Sequence, residues 1–130
     1  MLSILLAFAL GAQAEAPNPQ PDLVAAKGWV RLIDAQRWEE SWVAAGALFK
    51  SRVPELRWAS TIEPVRQPLG AVSSRNVKSV TRSKSLPGAP DGDYEVVQFQ
   101  TQFANKADAT ETVVLSREAS GWKVDGYFIR

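Results

Sequence analysis

The 130-residue chain contains neither cysteine nor histidine. Without cysteine there is no disulfide and no thiolate nucleophile; without histidine there is no imidazole acid or base. Losing both also removes the nitrogen and sulfur ligands that ordinary zinc, copper and haem sites require. Charge of one sign is scarce too: 15 Lys and Arg stand against 14 Asp and Glu, for a formal net charge of +1. That balance argues against wholesale binding of nucleic acid or of an anionic membrane. No apolar run approaches the roughly 20 residues that span a bilayer as a helix. The length and the 45% hydrophobic, 22% charged composition suit one globular domain.

The longest apolar stretch, Leu2 to Leu10, is followed by the small residues of Gly11-Ala12-Gln13-Ala14. This is the pattern of a cleaved signal peptide, although Met1-Leu2-Ser3 lacks the basic residues that normally precede it. Cleavage after Ala14 leaves a periplasmic or secreted protein of 116 residues with no membrane span. Residues 15–21 carry Pro17, Pro19 and Pro21 and read as an extended linker, so the expected domain covers 22–130.

Within that domain three helical segments precede four strands. Asp22 is positioned to cap a first helix with Leu23, Ala26, Val30 and Ile33 on one face, ending near Asp34. A second helix is expected to run from Asp34 or Ala35 with Trp38, Trp42, Ala45 and Phe49 as its stripe. A third follows Pro54 with Trp58, Ile62, Val65 and Leu69, ended or kinked by Pro64 and Pro68. The period then changes to two. Strands are expected over Arg75 to Ser85, Tyr94 to Ala104, Ala109 to Glu118 and Trp122 to Ile129, and the turn-rich Leu86 to Asp93 must be a loop. Val97, Phe99, Thr101 and Phe103 share one strand face, with Gln98, Gln100 and Gln102 on the other. The fold class is therefore α+β, about three N-terminal helices packed on a curved four-stranded antiparallel sheet, with tryptophans filling the space between.

This order of elements resembles the cystatin-like and nuclear-transport-factor-2-like folds. A more specific resemblance comes from Leu32-Ile33-Asp34, Ser41-Trp42, Phe49-Lys50, Val65-Arg66, Pro68-Leu69-Gly70, Ser74-Arg75, the loop Leu86-Pro87-Gly88-Ala89-Pro90-Asp91-Gly92 and the ending Gly126-Tyr127-Phe128-Ile129-Arg130. Together these are similar to an exported bacterial family known as domain of unknown function 4019. That resemblance implies no activity.

Four groups of residues carry candidate chemistry. Asp34, Asp125, Tyr94 and Tyr127 could serve an isomerase or hydratase in a sheet-lined pocket, since a carboxyl in an apolar site can act as a base. More simply, Asp34 is a helix cap, Asp125 a solvent-facing strand residue and the tyrosines wall residues. Asp91, Asp93 and Glu95 alternate as calcium ligands would, yet the glycine and distal glutamate of a calcium loop do not follow. Residues 50–84 hold eight basic and two acidic side chains, +6, whereas 85–130 hold four and seven, −3. Lys78, Val80, Arg82 and Lys84 are expected on one strand face, either as a basic strip for an anionic partner or as a lysine-blunted sheet edge. Arg66 and Arg75 flank the Pro68-Leu69-Gly70 bend and could grip an anion, or form structural ion pairs with Glu63, Glu111 or the C-terminal region. The serines around Ser73 to Ser85 lack any nucleophile context.

The sequence thus points to a cofactor-free binding or protein-interaction module of the cell envelope, with Arg66, Arg75, Lys78, Arg82, Lys84 and Tyr94 as its candidate ligand residues. An anionic molecule or a protein is the expected partner, nucleic acid is not, and a homodimer is compatible with this reading. The alternative is a small-molecule enzyme, which requires a cavity of ~300 Å³ or more with convergent polar groups.

Overall fold

The computed structural model describes residues 20–130, so the expected leader and nearly all of the linker lie outside the described residues. Helices α1 (Pro21–Asp34), α2 (Trp38–Ala44), α3 (Ala47–Arg52) and α4 (Glu55–Arg66) are followed by a short 3-10 turn, Gln67–Leu69. Strands β1 (Val72–Ser83), β2 (Tyr94–Phe103), β3 (Lys106–Glu118) and β4 (Gly121–Ile129) then form one antiparallel sheet in the order β1-β2-β3-β4. The expected α+β class is the observed one. Among the described residues no helix is long and apolar enough to cross a membrane.

Local chemistry moves several boundaries. Helix α1 starts at Pro21, whose fixed φ and missing N–H suit a first helical position, and Gln20 occupies the cap without a side-chain bond. Asp22 is therefore no cap; it lies in the first turn, buried. The single second helix expected from the Trp38, Trp42, Ala45, Phe49 stripe is two helices. Ala45 and Gly46 are extended, and the Gly46 N–H donates to the Val124 carbonyl at 2.8 Å instead of continuing the helix. The stripe survives because both halves turn the same side to the core. In α4 the buried positions are Trp58, Ile62 and Arg66, while Val65 is about half exposed. Strand β1 begins at Val72 and ends at Ser83, and the β2–β3 turn contracts to Ala104-Asn105, because Lys106 already pairs with Phe103.

One sheet face carries Val97, Phe99, Thr101, Phe103, Ala109, Val113, Leu115 and Val124, all buried. Against it pack Ala26, Trp29, Val30 and Ile33 of α1 with Phe49, Trp58 and Ile62. The aromatic centre is edge-to-face: ring centroids are 6.2 Å apart for Trp29 and Phe49, 4.9 Å for Phe49 and Trp58, and 5.4 Å for Trp29 and Tyr127. Trp38 and Trp42 sit at its margin, half-buried.

The two sheet edges are treated differently. At the β4 edge Gly46 takes up the Val124 carbonyl, and the register shifts between Val114 and Leu115, leaving Asp125 as an extra residue. Asp125 is consequently not solvent-facing: its carboxyl is packed against Gly46, with both oxygens buried and unpartnered among the described residues. That burial raises its pKa above the usual carboxylate value. The β1 edge carries a shift between Val77 and Ser79 that makes Lys78 the extra residue. A bulge with a lysine at its apex blunts an edge against further strand pairing. It also breaks the alternation, so Lys78 does not share a continuous face with Val80 and Arg82, and Lys84 lies past the strand end.

Candidate functional site

The candidate residues separate into two places. The first is a buried ionic network with one member from each of six elements: Asp34 closing α1, Arg66 closing α4, Arg75 on β1, Thr101 on β2, Glu111 on β3 and Tyr127 on β4. Arg75 is its hub. Its Nε donates to Glu111 Oε1 at 2.7 Å and its Nη1 to Asp34 Oδ2 at 2.7 Å. Its Nη2 reaches Asp34 Oδ1 at 2.9 Å and Glu111 Oε2 at 3.2 Å. Arg66 adds a 2.9 Å bond to Asp34 Oδ1 and lays its guanidinium 4.6 Å from the Phe103 ring centroid. Thr101 Oγ1 and the Tyr127 hydroxyl both donate to Glu111, which is fully buried.

Two guanidinium groups face two carboxylates, so the network is neutral, and its donors are occupied internally except Arg66 Nε, which is buried without a partner among the described residues. Burial disfavours the charge on Arg75, but the hydrogen bonds and charges of Asp34 and Glu111 outweigh it and push its pKa up. Burial, then the Glu111 charge, raises the Tyr127 phenol well above its ordinary value. Of the ion-pair partners expected for Arg66 and Arg75, Glu111 is the one used; Asp34, expected as a cap, is the other. Asp34 and Tyr127 thus belong to one network, while Asp125 packs against Gly46 and Tyr94 lies at the far end of the sheet, so the four residues of the enzymatic alternative share no cavity.

The second place is an open cavity of about 760 Å³ at the other end of the sheet, between the first turn of α1, the β1–β2 loop and the β3–β4 hairpin. Asp22, Arg82, Lys84, Tyr94, Arg117 and Trp122 are among its lining residues. Three of the candidate ligand residues, Arg82, Lys84 and Tyr94, therefore converge here, and Lys78 does not. Arg82 Nε donates to Glu95 Oε1 at 3.1 Å, yet its side chain remains 75% exposed. Lys84 pairs with Asp93 and thereby lowers the pKa of that carboxyl. Tyr94 is anchored through its hydroxyl to the Pro90 carbonyl. Arg117 projects into the same cavity with no ion pair among the described residues.

Sequence reasoning missed Asp22, Arg117 and Trp122 in this role. Arg117 and Trp122 are register partners across the β3–β4 hairpin, and Glu95 is the register partner of Arg82. Strand alternation alone does not reveal that α1 lays Asp22 over that end of the sheet. The alternating Asp91, Asp93 and Glu95 do not converge: Asp93 turns to Lys84 and Glu95 to Arg82, and among the described residues no three acidic side chains are grouped as metal ligands. A second open groove, about 820 Å³, runs between α1, α2 and α4 past Leu32, Trp38, Val43 and Ala59.

Residues 25–127 match the model of a family described as protein of unknown function, DUF4019. The chain belongs to the DUF4019 family. The match covers all six members of the ionic network and, from the cavity, Arg82, Lys84, Tyr94, Arg117 and Trp122, whereas Asp22 precedes it. No curated protein matches this DUF4019 chain.

Proposed function

We propose that this DUF4019 domain is a cofactor-free binding module of the bacterial envelope that receives an anionic partner at the Arg82, Lys84 and Arg117 rim of the sheet-end cavity. The observation that carries the reading is the convergence of these three basic side chains and the indole of Trp122 on one cavity of about 760 Å³. Ligand sites are typically concave, about 300–1,000 Å³, with a few placed polar groups and an aromatic wall. Arginine supplies a planar fork for a carboxylate or phosphate, and exposed cations steer an anionic partner from a distance. Export is supported by the apolar run Leu2 to Leu10 and the small-residue site ending at Ala14. N-terminal sequencing of the protein from a periplasmic fraction checks that half, with Glu15 the expected first residue.

The binding half is tested by NMR titration of the purified domain with acetate, citrate and inorganic phosphate at low and high salt. Shifts at Arg82, Lys84, Arg117 and Trp122 that fade with salt and vanish in the R82Q/K84Q/R117Q variant are expected. The same response in wild type and triple variant to every probe would remove the cavity as an anion site. The variant should still fold, since K84Q and R117Q are exposed charge substitutions of the kind that usually change stability by no more than about 0.5 kcal/mol, and the glutamine of R82Q keeps an amide donor for Glu95.

A further inference from the structure

The wall of this cavity contains a second device. Asp22, in the first turn of α1, is 2% exposed, and Glu95, one residue into β2, is fully buried. The two carboxyls are neighbours beside Arg82, which lines the cavity with Asp22 and pairs with Glu95, and each influences the ionisation of the other. Asp22 Oδ2 and Glu95 Oε2 are each buried with no other donor among the described residues. Two ionised carboxylates are acceptors only and cannot satisfy one another; one retained proton turns the contact into an O–H···O bond.

The charged surroundings are sparse on every side. From β1 comes Arg82, on one oxygen of Glu95 and mostly in solvent. From β3 the register partner of Glu95 is the apolar Leu115, with Arg117 further along and within reach of Asp93. From β4 comes Trp122, and Lys84 is engaged by Asp93. One exposed guanidinium is left to balance two buried carboxyls.

We infer that Asp22 and Glu95 share a single proton and act as a pH-sensitive latch, holding the first turn of α1 against the sheet and thereby closing one wall of the anion cavity. For the cavity's affinity the inference rests on the proposed anion site; for the latch itself it does not. Burial, then Asp22, raises the pKa of Glu95, and Arg82 opposes this without cancelling it. Burial also works against ionisation of Asp22, but the hydrogen bond to Glu95, the first-turn backbone and Arg82 together hold it below its ordinary value. Titrated upward, the pair therefore releases its first proton below the usual carboxylate range and its last above it.

The sign follows from linkage. The raised group contributes stability that is complete below its unfolded value and is lost as pH rises through its folded value. Above that point two bare carboxylates face each other, and the first turn of α1 lifts from β2. With the pair singly protonated the cavity lining carries one negative charge fewer, so an anion is held more tightly on the acidic side of the upper titration.

Carboxyl carbon NMR titration of the unliganded domain tests the latch, combined with amide exchange of residues 22–25 across the same pH range. In wild type a Glu95 resonance is expected to titrate above the ordinary carboxylate range in step with Asp22. Loss of first-turn protection should begin at that upper titration, at about tenfold per pH unit beyond it, after correction for intrinsic exchange. In D22N the asparagine donates permanently to Glu95, so the Glu95 titration should fall from its wild-type position toward the ordinary range, with burial still opposing ionisation, and first-turn protection should lose most of its pH dependence. E95Q provides the converse variant. Ordinary, independent titration of both carboxyls in wild type overturns the latch, as does a pH-dependent loss of protection in D22N and E95Q equal to that of wild type. Neither readout involves a ligand. A domain that titrates as expected but binds no anion keeps the latch and loses only the proposed site; one that binds anions with ordinary carboxyls does the reverse.

Discussion

Trp58 donates its indole N–H to the hydroxyl of Ser41 at 2.8 Å, in the middle of the helical layer. Ser41 is fully buried; its hydroxyl in turn donates to the Trp38 carbonyl at 2.7 Å, and its own carbonyl accepts the Trp29 indole at 2.8 Å. One small residue, through its hydroxyl and its carbonyl, thus lets two tryptophans enter the core without leaving an indole N–H unpaired. Ser41→Ala is expected to orphan the Trp58 N–H and cost about 1–3 kcal/mol. Urea unfolding of S41A, W58F and the double variant measures it. A coupling energy near zero would show that Trp58 does not depend on Ser41.

The ionic network makes a different prediction. Removing Arg75 leaves Glu111, fully buried, and Asp34 without their principal cation. Arg75→Ala should therefore cost about 3–5 kcal/mol, the range for breaking a buried pair from one side. Arg75→Lys should recover only part of it, because a single ammonium cannot reproduce the four bonds of the guanidinium fork. Denaturant midpoints of R75A, R75K and the neutralised R75M/E111Q pair rank these costs; a fully stable R75A would make the network dispensable.

At the β4 edge, Gly46 is required by what surrounds it and not by its φ, which is an ordinary −78°. A Cβ there would fall onto Asp125 Oδ1 and lie 3.1 Å from Lys123 Cβ. Gly46→Ala is expected to cost about 1–3 kcal/mol as overpacking. Asp125→Ala should relieve most of this, because the carboxylate is the nearest obstacle. Thermal melts of G46A and G46A/D125A check it: equal melting temperatures would mean that the Glu118 and Lys123 side chains, and not the Asp125 carboxyl, resist the Cβ.

The elements themselves were legible because each is a local matter of period and breaker. The alternation of Val97, Phe99, Thr101 and Phe103 against the glutamines set the buried face of β2 directly. Pro54 and the Trp58, Ile62 spacing placed α4, with Pro54 at its cap. Absence of Cys and His fixed equally firmly which chemistries were out of reach. The tertiary structure decided what depends on partners distant in the chain. Gly46 breaks a continuous helical stripe because Val124, 78 positions later, presents a carbonyl. Lys78 leaves the basic face because β2 imposes a bulge on β1. Arg75 serves Asp34 and Glu111, 41 and 36 positions away, because the α1 C-terminus and β3 converge on β1 from two sides. Asp22 meets Glu95 for the same reason. A side chain's charge is written in the sequence, but whether that charge faces water, a counter-ion or another acid depends on which elements fold over it.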